Sequence, residues 1–544
     1  MSAVIGITFG NTSSSIAVAG GDGKVDVIAN PDGDRSIPSV LSYVGEDEYH
    51  GTQAKSQLIR NAKNTIINFR DFVGKKFEEV DTSVSKVGAP AIKTEDGGIG
   101  YEITRADDKV EIVTVEEATR RHFIQLKRAA EDYIGKKVES VVLTVPTDFT
   151  EKQREEITKV ANNAGLKVLQ LINEPSSALL AHLSSNDDRL LEDKVFVVAD
   201  FGGIRSDAAV VSVRGGVFTI LATAHEKGLG GEQLDDALAE FFAKEFEKKF
   251  KANPRTNARS LAKLKAESIV VKKTLSNVNT SSCSIESLAE GYDFLTSINR
   301  LRYELAAKTV LSNLTAFVEK AVTKAGLETL DIDEVLLVGG TSHTPKLASN
   351  VQFIFPESTV VVSPALDSKA INPAELVSRG AALQASLIES FDEEEIKESL
   401  QPVVVNTQHI SKPIGIKDAE GNFIPILVSE TAYPIKKSIE VTNGESSAVH
   451  IELFEGKRTV KETVVEPEQD SDESEDEDSD EEPEIRKDVV YVAGDLLAEL
   501  SLKDLKPNSK LEVIVNITQN GTLHVSGREL KPGSVAVKGE ISSA

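Results

Sequence analysis

Two hydrophobic periods divide the chain. Up to about residue 390, short apolar runs at 4–8, 140–145, 195–200 and 334–338 alternate with stretches of helical spacing, the pattern of an α/β domain. Thr114 with Glu117 forms a capping box ahead of Val115, Ala118, Leu126 and Ile134, and Gly135 follows as a stop. Thr150 with Gln153 repeats the device, and Gly165 marks where that helix should end. Past residue 400 the helical period gives way to alternation. Val449, Ile451 and Leu453 alternate with His450, Glu452 and Phe454, and Leu511, Val513, Val515 and Ile517 repeat the pattern. Asn520-Gly521 then offers a hairpin turn into Leu523 and Val525. The pattern predicts an α/β domain over 1–390, a linker over 391–407 and a small all-β domain over 408–544. No helical segment follows the last strand.

Composition narrows the class. Apolar residues make up 40% of 544, enough for a large core, and no run reaches the roughly 18 apolar residues of a membrane span. The first residues lack a basic region leading into an apolar run, so a cytoplasmic protein is expected. Cys283 is the single cysteine, which excludes an internal disulfide and a cysteine-clustered zinc site. The formal net charge is −26, which disfavours direct binding of nucleic acid. Half of that charge sits in residues 466–484, with 13 acids and no base. The sequence predicts a disordered acidic loop over 466–487. Ser474 and Ser479, each with a glutamate three residues on, are its candidate phosphorylation sites.

The α/β part repeats itself. FGNTSSSIAV (9–18) and FGGIRSDAAV (201–210) share F-G-x-x-x-S-x-x-A-V at an offset of 192 residues, each after a buried-type strand. A strand, a glycine turn and a returning strand present backbone N–H groups from a concave nest, which suits an anion. Two such nests face to face would clamp a phosphate tail. Gly339-Gly340 after another apolar strand and Gly230-Gly231 add close-approach turns, and Glu174 follows the apolar run 168–172 at a strand end, where α/β ligands sit.

These motifs together resemble the seventy-kilodalton heat-shock chaperone family. Further stretches carry the match: NAKNTIINFRDFVGKKF (61–77), VLTVPTDFT (142–150), INEPSSALLA (172–181), KGLGGEQLD (227–235), VGGTSHTPK (338–346) and NPAELVSRGAALQA (372–385). The resemblance implies an actin-like, two-lobed nucleotide-binding domain, then a truncated β-sandwich of the substrate-binding kind without its helical lid. Within the family the chain is similar to an atypical fungal member that pairs with a J-protein of the zuotin type in the ribosome-associated complex. ATP is the implied ligand. Its implied contacts are Gly10, Asn11, Thr12, Arg70, Asp200, Gly202, Gly203, Gly231, Glu232, Lys272, Lys273, Ser276, Gly339, Gly340 and His343.

The departures from the family pattern are concentrated in the hydrolytic machinery. Thr8 stands where the family carries a magnesium-organising aspartate, and a neutral hydroxyl is a poor sole anchor for a divalent ion. Asn11 replaces a threonine that touches phosphate, and Arg70 stands for the water-positioning lysine, keeping its charge but not its geometry. Ile204 and Arg205 replace a glycine and a threonine in the second nest, and β-branched Ile204 argues against a positive φ there. Glu174, Asp200 and Asp207 are kept. Around the adenosine, Ile269, His343 and Ala374 replace a glutamate, an arginine and an aspartate. The linker has Pro402 and lacks the family's acid.

Phosphoryl transfer depends on positioned metal, water and charge, so these changes predict ATP binding with little or no hydrolysis. Thr8, Arg70, Glu174, Asp200 and Arg205 then mark a vestigial catalytic site, with no metal expected and magnesium left open. The partners implied are a zuotin-type J-protein in a stable heterodimer, the ribosome through that partner, and nascent polypeptide. No membrane or direct nucleic-acid contact is expected. An active ATP-driven peptide-binding chaperone is the alternative, and a small-molecule kinase of the same fold is a third.

Overall fold

The repeat in the sequence is a repeat of sheet topology. In the computed structural model, which describes residues 3–20, 24–85, 87–184, 192–389, 394–396, 407–465 and 484–541, strand Ala3–Phe9 runs antiparallel to Ser13–Ala19 and parallel to Val138–Val145. Lys167–Asn173 extends that sheet in parallel on one side and Val25–Ile28 extends it antiparallel on the other. Strand Lys194–Phe201 has the same surroundings. Arg205–Arg214 and Val217–Lys227 continue antiparallel on one side, Glu334–Val338 and Val360–Val362 parallel on the other. The register repeats as well: Thr8 faces Ser15 in the first sheet and Asp200 faces Asp207 in the second.

Both central strands are apolar without alternation because they are covered on both faces. Ile5 and Ile7 are fully buried, and every residue from Val195 to Ala199 is buried. Helix Val115–Ile134 starts where Thr114 Oγ1 accepts the Glu117 N–H at 3.2 Å, and it stops at Gly135 with φ +69°. Helix Glu151–Asn163 has the Thr150–Gln153 box, and Gly165 follows it at φ +78°. Helix Leu376–Ile388 joins the two sheets, and two glycines set its approach. A Cβ on Gly380 would lie 1.7 Å from the Ser177 carbonyl oxygen, and one on Gly6 would lie 2.3 Å from Ala382 N. Two mixed sheets of one topology, each flanked by helices, are consistent with an actin-like nucleotide-binding fold. No helix of the described residues is long and apolar enough to cross a membrane.

Residues 407–465 and 484–541 contribute strands and no helix among the described residues. Phe423–Leu427, Ile414–Lys417, Val449–Val465 and Glu484–Leu502 make one four-stranded sheet, and Ile435–Thr442, Lys510–Ile517, Leu523–Glu529 and Val537–Ile541 another. Leu511, Val513, Val515 and Ile517 point into their shared core while Lys510 faces solvent. Phe454 departs from the expected alternation: it is buried, because the ladder shifts register on both sides of it, and Lys417 Nζ lies 4.0 Å from its ring centre.

This β region rests on the second sheet. Ser212 Oγ donates to the Glu430 carbonyl at 2.7 Å, and Arg214 donates twice to that of Ser429. Arg458 pairs with Asp331 and Glu328, each at 2.9 Å. The predicted bounds of the acidic loop, 466–487, reach too far at their end. Residues 484–487 are strand, with Glu484 opposite Val465 and Lys487 opposite Glu462, because β-branched Thr463, Val464 and Val465 extend the ladder. Residues 466–483, with Ser474 and Ser479, lie outside the described residues, as does most of the expected linker. Within that linker residues 394–396 are helical.

Candidate functional site

The two F-G turns close in the same way. Gly10 N–H donates to the Ser13 carbonyl and Gly202 N–H to the Arg205 carbonyl, both at 3.0 Å. Ile204 has no positive φ, and its carbonyl accepts Gly228 N–H at 2.8 Å. The second turn thus closes without a left-handed residue at Ile204, as its β-branched side chain requires. The turns meet each other: a Cβ on Gly203 would lie 2.4 Å from Thr12 Cγ2. Gly231 N–H and Thr341 Oγ1 both donate to the Gly202 carbonyl at 2.9 Å, and Glu232 N–H donates to that of Gly203 at 2.7 Å. The first turn is propped from behind. Ser39 Oγ donates to the Gly10 carbonyl and bonds Ser14 Oγ, which also bonds His122 Nε2.

Charges converge below the turns. Arg70, 5% exposed, donates Nη1 to Glu174 at 3.1 Å and Nε to Asp71 at 2.9 Å. Arg205, equally buried, donates Nη1 to Asp71 at 2.9 Å, Nη2 to Asp148 at 3.1 Å and Nε to Asp207 at 2.8 Å. His225 Nδ1 lies 2.6 Å from Asp207. Burial favours the neutral acid, but Arg70 and Arg205 hold Asp71 well below the usual carboxylate range, and Arg205 with His225 lowers Asp207. Glu174 and Asp200 go the other way. Burial and the neighbouring acids push both up, to about 8 and about 7, against the pull of Arg70. Thr8 accepts only a 3.3 Å hydrogen bond from Thr144.

The remaining expected contacts spread along the cleft. Gly339, at φ +84°, comes so close to Asp200 that a Cβ would lie 2.3 Å from Oδ1. Gly340 starts the short helix Gly340–His343, and His343 Nε2 bonds Asn372 Oδ1 at 3.0 Å. Lys272, Lys273 and Ser276 share helix Ala258–Asn277. Lys272 donates to the Gly231 carbonyl and pairs with Asp235, both at 2.8 Å, Lys273 is exposed, and Ser276 Oγ donates to the Lys272 carbonyl at 3.2 Å. Sequence reasoning missed Asp71, Asp148, His225, Ser39 and His122. Asp71 and Asp148 lie inside motifs already quoted, so two extra acids there were the signal available.

The residues fit a nucleotide phosphate chain better than they fit magnesium. Asn11 Nδ2 is buried with no acceptor among the described residues, so the first turn has a donor left for an anion. For magnesium the donor set is wrong. Thr8 is neutral, Glu174 Oε1 is engaged by Arg70, and both oxygens of Asp207 are engaged by Arg205.

A family model described as Hsp70 protein matches residues 4–466. The chain is 52% identical to the ribosome-associated complex subunit SSZ1 of Saccharomyces cerevisiae, over 99% of this chain and 100% of that protein. It is 46% identical to a heat shock protein 70 homolog of Schizosaccharomyces pombe, over 99% and 96%. Heat shock 70 kDa protein 14 of Danio rerio is 30% identical, over 100% and 99%.

Proposed function

The chain belongs to the Hsp70 family, and on that premise we propose that it binds ATP with little or no hydrolysis and serves as a chaperone-complex subunit beside a J-protein of the zuotin type. In this reading residues 1–390 form the two-lobed nucleotide domain, 391–407 the linker and 408–544 a β-sandwich that receives its partner by strand addition. The work is done in the cytoplasm at the ribosome, on chains as they emerge, and the partner supplies the basic surface that an acidic chain lacks. Support for the setting comes from the 52% identity to a ribosome-associated complex subunit across the full length.

The observation that carries the nucleotide part is the state of Arg70. Its guanidinium is held by Glu174 and Asp71, so neither it nor Glu174 is free to orient a water. Gly10, Asn11, Thr12, Gly202 and Gly203 would hold the phosphates. Gly339, Gly340, Lys272 and His343 would lie toward the nucleoside. Nucleotide bound here supplies stability by mass action rather than by turnover. Nucleotide retention and single-turnover hydrolysis, measured on the purified chain with and without Arg70→Ala, test the reading. The expected result is retention without phosphate release. Release at rates ordinary for an active chaperone would restore the alternative of an ATP-driven peptide-binding cycle, and failure to retain nucleotide would remove the reading.

A further inference from the structure

The cluster around Arg205 has the makings of a cation site. Asp148, Asp207 and His225 each offer one ligand atom, and these atoms lie within 4.8 Å of one another, a spacing that a divalent ion could bridge. The two carboxylates are turned to the guanidinium instead, and His225 Nδ1 lies 2.6 Å from Asp207. Nη2 reaches Asp148 at 3.1 Å and His225 Nδ1 at 3.4 Å, Nε reaches Asp207 at 2.8 Å, and Nη1 takes Asp71 at 2.9 Å. The arginine side chain is 6% exposed. The partners come from both sides of the cleft: Asp71 and Asp148 belong with the first sheet, Asp207 and His225 are on strands of the second.

We infer that Arg205 is a built-in cation that occupies, among Asp71, Asp148 and Asp207, the place a divalent ion would otherwise take. The cleft then needs no divalent ion to stay closed or to hold nucleotide; the nucleotide clause rests on the proposed function. A planar fork with five donors can satisfy three carboxylates at once. A hard divalent cation entering the same cluster would have to strip those carboxylates from a buried guanidinium and sit beside its charge. Thr8 offers it no compensating carboxylate.

Binding of Mn²⁺ alone to the full chain, followed by the loss of its free electron-paramagnetic signal, tests the cation clause. Exposed acids elsewhere bind weakly, so the reading is a difference. Wild type and Asp148→Asn are expected to bind Mn²⁺ alike. Arg205→Thr is expected to gain one site that the added Asp148→Asn removes, whereas Arg205→Lys, which keeps a charge, gains none. A wild-type site that Asp148→Asn abolishes overturns the inference, and so does a folded Arg205→Thr that gains nothing. Should Arg205→Thr fail to fold, the comparison of wild type with Asp148→Asn decides alone. The second arm measures ATP affinity in EDTA and in magnesium. The two are expected to agree within about threefold, and a loss beyond about tenfold in EDTA overturns the nucleotide clause. If ATP binds under neither condition, the proposed function fails and the Mn²⁺ arm still stands.

Discussion

Arg205 Nη1 donates to Asp71 Oδ2 at 2.9 Å, joining residues that are 134 positions apart and lie on opposite sides of the cleft. The side chains are 6% and 13% exposed, so this is a desolvated pair. Breaking such a pair from one side costs up to about 3–5 kcal/mol, and less where the charge left behind keeps another partner. Arg205→Ala takes the guanidinium from three acids, although Asp71 keeps Arg70 and Asp207 keeps His225, and it is expected to lower the denaturation midpoint further than Asp71→Asn, which leaves Arg70 on Glu174 and Arg205 on Asp148 and Asp207. The double variant should be less damaging than the sum of the two, and a denaturant-unfolding cycle measures that coupling. Additive losses would mean that the two residues do not act as a pair.

Turnover should return when the site is set back toward a form that can position metal and water. Thr8→Asp supplies a carboxylate at the end of the first strand, Arg70→Lys removes the guanidinium that engages Glu174 through Nη1, and Arg205→Thr removes the cation beside Asp207. Each change alone leaves the other two obstacles in place, so none is expected to raise single-turnover phosphate release appreciably. The triple variant in magnesium is expected to exceed wild type by at least about tenfold, equivalent to about 1.4 kcal/mol of barrier. An unchanged rate in a folded triple variant would place the block elsewhere in the chain.

Local devices were legible in the sequence and long-range convergence was not. Thr114, Gly135, Thr150 and Gly165 act within one turn of their own helix, so composition alone placed those ends. The F-G turns were legible because the chain carries two of them and the copies explain each other. Arg205 was visible only as a replaced threonine. Its partners Asp148 and Asp71 lie 57 and 134 positions away, and no period brings them together. Phe454 was misread for a related reason: a register shift in a ladder is decided by the partner strand, not by the strand's own alternation.

The seat of the β region on the second sheet turns on few groups. Ser212 and Arg214 lie on one strand of that sheet and donate to the adjacent carbonyls of Glu430 and Ser429. Backbone carbonyls are constant acceptors, so only the donors can be removed. Arg214→Ala is expected to raise amide exchange around residues 428–432 while leaving exchange in strand Lys510–Ile517 unchanged, because the core of that strand is internal to the β region. Adding Arg458→Ala removes the second contact with Asp331 and Glu328 and should enlarge the effect. Uniform protection in both variants would show that the β region is held by other contacts.

The prop behind the first turn carries a pH signature. His122 is 1% exposed, with rings from Phe9 and Phe69 beside it and Nε2 at 2.8 Å from Ser14 Oγ. Burial lowers its pKa from 6.5 to about 3, with His50 adding to the effect. A histidine held neutral in the folded state favours folding fully above its unfolded pKa. As pH falls below about 6.5 the unfolded chain takes up a proton that the native state refuses. Stability is then lost until the pH nears about 3, with a slope approaching about 1.4 kcal/mol per pH unit. His122→Gln keeps a polar atom near Ser14 and cannot charge in this range. Denaturant midpoints measured between pH 7 and 4.5 should therefore fall for wild type and fall less steeply for the variant, even if the variant starts lower. Parallel slopes would show that His122 titrates normally. The loss should also reach the phosphate turn, because Ser14 bonds Ser39 and Ser39 donates to the Gly10 carbonyl. Exchange of the amides at residues 10–14 is thus expected to rise with acidification ahead of global unfolding in wild type only.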